Sequence, residues 1–452
     1  MSLYRYCLSA SFDRSMQHIT SEINENNSTV YATVPFLTAS GTFRYGLQST
    51  INNLKSKQIY PSESGYDIIV FALMVYIADM KISRAKQSQD SWTREISLII
   101  PVCNTQWQQY TSIFERMLKF LTGDLWKIKF VNREITFSDI DHSECKTDKY
   151  TAASLFSGGM DSLIGAIDFM EKRQPTLLIS HAGEALVRSS QNSIHSILDD
   201  QYPDIPHENA YLWTDLSDVD FPYGDNDMNQ RSRSFLFISI GIFAMSGCNS
   251  CRTLLMPENG LIALNVPLEY LRSGSHSTRT THPFYLKLWN IVVGQIFGFS
   301  INNPFWNKTK GEMASECLNR ELFKKAVEFS YSCSSVNNAR IRSGKTQHCG
   351  HCLPCIIRRA AMHRAFGNYD PSQYMYSTVS SLMSDRSDIG GQIRSFQYAI
   401  ERLKNNPKAK SILIHIPGPL DNNEEYLNEL ADTYYRGLME VDQWIQDSLQ
   451  YD

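Results

Sequence analysis

The sequence predicts an α/β protein. A parallel sheet with helices on both faces carries an N-terminal α+β extension and a mainly helical C-terminal region. Three observations predict this. Between about residues 148 and 366, short apolar segments alternate with helical patterns, the rhythm of βαβ units. Residues 1–147 mix amphipathic helices and alternating strands without that rhythm, and residues 367–452 read as helices. The chain is long enough to bury a sizeable core, with 452 residues, 42% of them hydrophobic and 12% aromatic. That composition excludes a disordered or fibrous chain.

The elements follow from periodicity. In the first block, Tyr66 to Met80 is nearly continuous apolar sequence of helical length, which predicts a buried helix. Thr93 to Val102 reads as a strand. Trp107 to Leu121 has helical spacing and ends at Gly123, a helix-terminating residue. Leu125 to Val131 alternates Trp126, Ile128 and Phe130 with lysines, so it is a half-buried strand. Polar Ser138 to Lys149 reads as a linker. The second block reads as strands at Ala152–Phe156, Thr176–Ser180, Ala210–Asp215 and Thr253–Pro257. Helices are expected at Met160–Met170, Gly183–Asp200 and Phe235–Gly247. The last block predicts helices at Ile389–Lys404 and Asn423–Leu449, with one strand at Ser411–Ile416.

Charge and cysteine content narrow the function. Lys plus Arg total 43 against 47 Asp plus Glu, a net charge of −4. A whole-protein electrostatic footprint for nucleic acid is therefore missing. The most apolar stretch, Phe235 to Met245, falls short of the roughly 20 residues of a membrane span. Met1 to Phe12 has no basic segment followed by an apolar one, so the expected location is the cytoplasm. Ten cysteines are too few for a disulfide scaffold, so clustered ones point to metal.

The strongest chemical signal is Ser157-Gly158-Gly159-Met160-Asp161-Ser162, between a strand and a helix. Paired glycines let the backbone approach an anion, and the helix start presents unpaired N–H groups. Ser157 and Ser162 add hydroxyls. Asp161 fits as a helix cap or through a Mg²⁺ it helps hold. The plain alternative is an ordinary βα turn; a Walker A loop is excluded because no Gly-Lys-Ser/Thr is present.

The second signal is Cys333, Cys349, Cys352 and Cys355, spaced C-x15-C-x2-C-x2-C. Three thiolates fall within a turn or two of backbone and a fourth arrives from upstream, the donor set of a closed structural Zn²⁺ site. An Fe–S cluster, a redox pair or buried thiols are the alternatives. His348 and His351 read as loop histidines, and Cys248 and Cys251 as structural thiols.

The hexapeptide resembles the PP-loop of the ATP pyrophosphatases, Ser-Gly-Gly-x-Asp-Ser. Combined with the cysteine set some 170 residues later, the chain resembles the 7-cyano-7-deazaguanine synthase (QueC) family. Lys308-Thr309-Lys310-Gly311-Glu312-Met313, Tyr331-Ser332-Cys333, Cys355-Ile356-Ile357-Arg358 and Arg231 to Phe235 are each similar to a segment of that family. The resemblance covers about residues 150–365, roughly half of the chain. It implies an adenine nucleotide α-hydrolase-like fold and an ATP-dependent ligase that adenylates a 7-carboxy-7-deazaguanine-like carboxylate. It implies ATP, Mg²⁺ and Zn²⁺ as cofactors. Ser157, Gly158, Gly159, Met160, Asp161 and Ser162 would bind the nucleotide, and Lys308 or Lys310 would steady phosphate charge.

Two features depart from that family. The chain carries extra blocks at both ends, and the family's Tyr-Pro-Asp-Cys-Arg-like segment is replaced by Glu258 to Asn265 and Ser277 to Pro283. Long QueC-like proteins of this kind resemble components of bacterial anti-phage operons, notably the Qat system. That implies an acceptor amine other than ammonia, such as the N-terminus of an operon partner, docked by the extra blocks. Arg272, His276, Arg279 and His282 are the expected groups near phosphates or carboxylate, with Arg279 placed among the catalytic residues. Glu258, His181 and Glu184, which follow strands, are weaker candidates. The rival readings are a nitrile-forming synthase using ammonia, a tRNA-modifying PP-loop enzyme, and a non-catalytic nucleotide-binding scaffold.

Overall fold

A computed structural model describes residues 3–88, 90–137, 147–181, 185–227, 229–269, 279–334 and 347–451. Strands β1 (Arg5–Ser11), β2 (Thr20–Asn24), β3 (Thr29–Pro35), β4 (Glu95–Val102) and β5 (Leu125–Asn132) form a first sheet, ordered β2-β3-β1-β4-β5. Only β2 runs antiparallel to its neighbour. The N-terminal block is thus a mixed, mostly parallel sheet rather than the expected α+β arrangement. Parallel neighbours need crossovers: helix Thr111–Thr122 joins β4 to β5, and along the chain helices Leu47–Lys55 and Glu63–Lys81 lie between β3 and β4, and β2 lies between β1 and β3. The alternation expected in β5 is present: Trp126, Ile128 and Phe130 are buried and the lysines between them exposed. Gly123 ends helix Thr111–Thr122 in the left-handed conformation, at φ 78°.

The helix Glu63–Lys81 is buried almost all round, from Gly65 to Asp79. A helix apolar on every face must be enclosed. The first sheet lies on one side of it and the helix Arg233–Met245 on the other, and residues from both blocks share one hydrophobic core. A buried ionic cluster ties this junction. Asp79 and Asp124 each pair with Arg84 (2.6 Å) and Arg94 (2.7 Å), and Asp79 also accepts a hydrogen bond from the Ser232 backbone at 2.7 Å. Burial pushes the Asp79 carboxyl upward, but the two arginines outweigh it and hold the group below its ordinary range.

The second sheet is wholly parallel: β6 (Ala152–Leu155), β7 (Thr176–His181), β8 (Asn209–Leu212), β9 (Thr253–Leu255) and β10 (Ser300–Asn302), ordered β10-β9-β6-β7-β8. Leu177 and Ile179 join the core that holds helix Arg233–Met245. Leu178 joins the opposite core with helices Met160–Glu171 and Ala185–Gln201. Helices therefore cover both faces, as predicted.

The C-terminal helices Asp388–Asn405 and Glu424–Tyr451 pack on helices Gly260–Leu264 and Leu353–Phe366 in a third core. The strand expected at Ser411–Ile416 is instead the helical turn Lys410–Leu413, with Leu413 and Ile414 buried in that core. A six-residue apolar run does not distinguish the two periodicities, and packing on a long helix decides for helix. Among the described residues, no helix is long and apolar enough to cross a membrane.

Candidate functional site

The strand order places β6 at a switch point. The chain leaves β6 for β7 and β8 on one side and later returns to β9 and β10 on the other. Ligand sites in open α/β sheets form at the C-terminal ends of strands where the order reverses. The Ser157–Ser162 segment follows β6, and Glu258-Asn259 follows β9, so the topology brings both to one crevice.

Gly158 adopts φ +77°, which L side chains rarely take. Its carbonyl accepts hydrogen bonds from the Tyr331 N–H and the Ser190 hydroxyl, each at 2.8 Å. Ser157 Oγ accepts from Gly159 N at 3.3 Å and lies 3.2 Å from Ser162 Oγ, which donates to the Gly159 carbonyl at 3.0 Å. Gly159 has no side chain to cap helix Met160–Glu171, and the hydroxyl of Ser332 accepts from its first N–H instead. A helix start that follows a glycine loop is the kind of place where backbone N–H groups receive an anion.

Asp161 does not cap its own helix. Its carboxylate accepts from Asn259 N (3.2 Å) and Asn259 Nδ2 (2.8 Å) and pairs with Lys310 Nζ at 2.9 Å. Glu258 lies beside it and accepts a hydrogen bond from the Thr281 hydroxyl. Burial pushes the Glu258 carboxyl up to about 7; the Thr281 bond opposes this, the nearby Asp161 charge adds to it, and Lys310 lowers it. Lys310 pairs with Asp161 and acts on Glu258 through space, and Asp161 and Glu258 are the residues that could hold a Mg²⁺ here.

The two lysines of the Lys308–Met313 segment separate. Thr309 and Glu312 form a reciprocal capping box that starts helix Lys310–Ser315, and Lys310 turns inward, 6% exposed. Lys308 points to the surface and pairs with Glu316 at 2.7 Å, so the structure does not bring it to the loop. Arg279 reaches the first block. Its guanidinium donates to the Phe120 carbonyl at 2.7 Å and covers the Phe120 ring, so it anchors helix Thr111–Thr122. Burial lowers its pKa to about 10, aided by Arg231. His282 caps helix Pro283–Phe297, accepting from Phe284 N at 3.2 Å. Arg272, His276 and Glu184 lie outside the described residues.

Sequence reading missed Glu440. Its carboxylate accepts from Thr309 Oγ1 (2.6 Å) and Gly311 N (2.9 Å), clamping the turn that aims Lys310. Arg436 pairs with Glu312 at 2.8 Å from the same C-terminal helix. Nothing local marks these residues; only the packing of a helix some 130 positions away reveals them.

A cavity of about 180 Å³ opens next to the loop, at the ends of β6, β7 and β8. Its walls include Phe156, Ser157, Ile179, Leu212, Phe237 and Tyr331, with Arg233 at its edge. Gln191 Oε1 and His181 Nδ1 line it, buried and, among the described residues, without a hydrogen-bond partner. Burial lowers the His181 pKa to about 4, helped by Arg233, so the ring is neutral and its free nitrogen accepts or donates according to tautomer. Apolar walls with a few convergent polar groups suit a flat heterocycle.

The four cysteines converge. Cys333 Sγ is 3.9 Å from Cys352 Sγ, and Cys349 Sγ is 3.9 Å from Cys355 Sγ, with all four sulfurs within 4.8 Å of one another. A tetrahedron with metal–sulfur bonds of about 2.3 Å has edges of about 3.8 Å, so the set fits Zn²⁺. Backbone N–H groups of Cys349 and Cys352 donate to Cys333 Sγ (3.4 Å) and Cys349 Sγ (3.3 Å). Gly350 makes the turn at φ +85°. His348 is not among the metal donors; it stacks on Tyr331, ring centroids 4.8 Å apart. Cys248 and Cys251 are buried, and the Cys248 thiol donates to the Ala244 carbonyl at 3.7 Å.

Tyr331 and Ser332 connect the two motifs. Tyr331 N donates to the Gly158 carbonyl, and Ser332 Oγ accepts from Met160 N at 3.4 Å. The cysteine cluster thereby braces the strand of chain that lies over the glycine loop. No protein-family model matches the chain, and no curated protein matches it.

Proposed function

We propose that this chain is an ATP-dependent, QueC-like ligase that adenylates the carboxylate of a 7-carboxy-7-deazaguanine-like substrate and passes the acyl group to an amine. The observation that carries the proposal is the meeting of Asp161, Glu258 and Lys310 across the β6–β9 crevice, beside the Gly158-Gly159 loop. The substrate carboxylate attacks the α-phosphorus of ATP, and the bond to pyrophosphate breaks. The loop N–H groups with Ser157 and Ser162 receive the departing pyrophosphate, and Lys310 offsets its charge. Mg²⁺, held by Asp161 and Glu258 when bound, supplies further charge neutralisation. The amine then attacks the acyl carbon and AMP leaves. The cavity beside Gln191 and His181 takes the adenine ring. Zn²⁺ at the four cysteines is structural, because a closed S₄ set leaves no open position.

The acceptor we favour is the N-terminus of a partner protein in bacterial anti-phage defence, on the resemblance stated above. Nucleotide product analysis tests the chemistry: purified protein, Mg-ATP, with and without 7-carboxy-7-deazaguanine and ammonia. AMP and pyrophosphate that depend on the deazaguanine support the proposal. An unchanged rate without it removes the substrate assignment. Intact-mass comparison of a candidate partner tests the acceptor, and an unchanged partner mass refutes it. A salt-sensitive tRNA shift would instead favour an RNA-modifying enzyme, and wild-type activity in Asp161→Ala would favour a scaffold.

A further inference from the structure

A second set of donors lies on the far half of helix Ala185–Gln201. His195 and Asp199 are four residues apart on one helix face, and His207 joins them from the segment before β8. His195 Nε2 faces the His207 carbonyl at 3.0 Å, and His207 Nδ1 faces the Ile205 carbonyl. A carbonyl only accepts, so those two nitrogens carry the protons. The other two nitrogens, His195 Nδ1 and His207 Nε2, converge on one carboxylate. They lie 2.9 and 3.0 Å from the two oxygens of Asp199. His207 Nε2 is buried, in a side chain only 5% exposed, and among the described residues it has no hydrogen-bond partner beyond its approach to Asp199.

Two imidazole nitrogens converging on one carboxylate call for positive charge among them, supplied by a second proton on each ring or by a metal cation, and metal titration separates the two. All three donor atoms fall within 4.8 Å of one another. Backbone carbonyls that fix the tautomer of each histidine are the usual outer partners of metal-bound imidazole. Two nitrogens and a carboxylate suit a borderline divalent ion with bonds of about 2.0–2.2 Å. We propose that His195, Asp199 and His207 form a second metal site that takes a Zn²⁺-class divalent transition metal. Asp199 is 55% exposed, so the site is open to solvent and leaves coordination positions for water.

The location gives the site a consequence. The same helix carries Ser190, which holds the Gly158 carbonyl, and Gln191, which donates to the Phe156 carbonyl at 3.2 Å. A metal that ties this helix to the segment before β8 stiffens the frame around the glycine loop and the adjoining cavity.

The test is calorimetric titration of untagged, full-length protein that already holds one zinc per chain at its cysteines, using Ni²⁺ and then Zn²⁺. One further equivalent is expected. Asp199→Asn and His195→Gln should each weaken it at least tenfold while leaving the cysteine-bound zinc in place. Asp199 is exposed, so its variant folds whatever the fate of the histidine variant. Absence of a further equivalent overturns the proposal, as does an unchanged affinity in Asp199→Asn.

Discussion

Replacing Gly158 by alanine isolates what the glycine loop requires. Gly158 sits at φ +77°, and a Cβ there would lie 2.9 Å from Ser190 Oγ and 3.1 Å from Gln191 Cγ. The left-handed conformation costs an alanine about 1–2 kcal/mol. Moving Ser190 aside also forfeits its 2.8 Å hydrogen bond to the Gly158 carbonyl, worth about 1 kcal/mol. Together these come to about 2–3 kcal/mol. If the loop escapes the strain by changing shape, nucleotide affinity falls by roughly 30- to 150-fold, at about 1.4 kcal/mol per decade. If it does not, the same energy appears as lost stability. Gly159 is the matched control, because its φ is −82° and its nearest Cβ contact is 3.3 Å. Urea unfolding and ATP-binding calorimetry on both variants decide the matter. The reasoning is refuted if Gly158→Ala matches wild type in both assays, or if Gly159→Ala destabilises the fold as much as Gly158→Ala.

Four further outcomes are expected. Lys310→Ala should lower AMP formation at least a hundredfold in the product assay, whereas Lys308→Ala, which breaks only a surface pair worth about 0–1 kcal/mol, should stay within twofold. Cys349→Ser should lose the bound zinc by elemental analysis and loosen Tyr331 and Ser332 over the loop, read as weaker ATP binding. Glu258 has its pKa raised by burial to about 7, so its contribution to stability is full below its unfolded value near 4.5 and is lost as pH rises through 7. Glu258→Gln should flatten that part of the nucleotide-free stability profile, and an unchanged slope would disprove the assignment. Asp124→Asn leaves Arg84 and Arg94 short of one buried partner, and urea unfolding should show a loss of about 3–5 kcal/mol.

Much of this molecule was legible in its sequence because the responsible forces are local. Period-2 alternation in Leu125–Asn132 and the apolar length of Glu63–Lys81 report burial directly. Gly123 at a helix end and Gly158 in the loop follow from steric limits on φ that act within one residue. The cysteine spacing places three sulfurs close together through chain connectivity alone, and the fourth completes the set.

What tertiary structure decided depends on distant partners. Lys308 and Lys310 are equivalent by composition. The turn at Thr309, clamped by Glu440 from the C-terminal helix, sends one lysine to Asp161 and the other to the surface. Arg279 is eligible for phosphate by charge, and only the tertiary structure shows that it also bonds the Phe120 carbonyl of another block. Ser411–Ile416 was long enough to be apolar and too short to declare a period, so its packing chose. The parallel sheet of the N-terminal block and the core it shares with the second block arise from nonlocal strand pairing and helix burial, which leave no signature in any short window. Local sterics and connectivity wrote the motifs into the chain; long-range packing determined which of their side chains face one another.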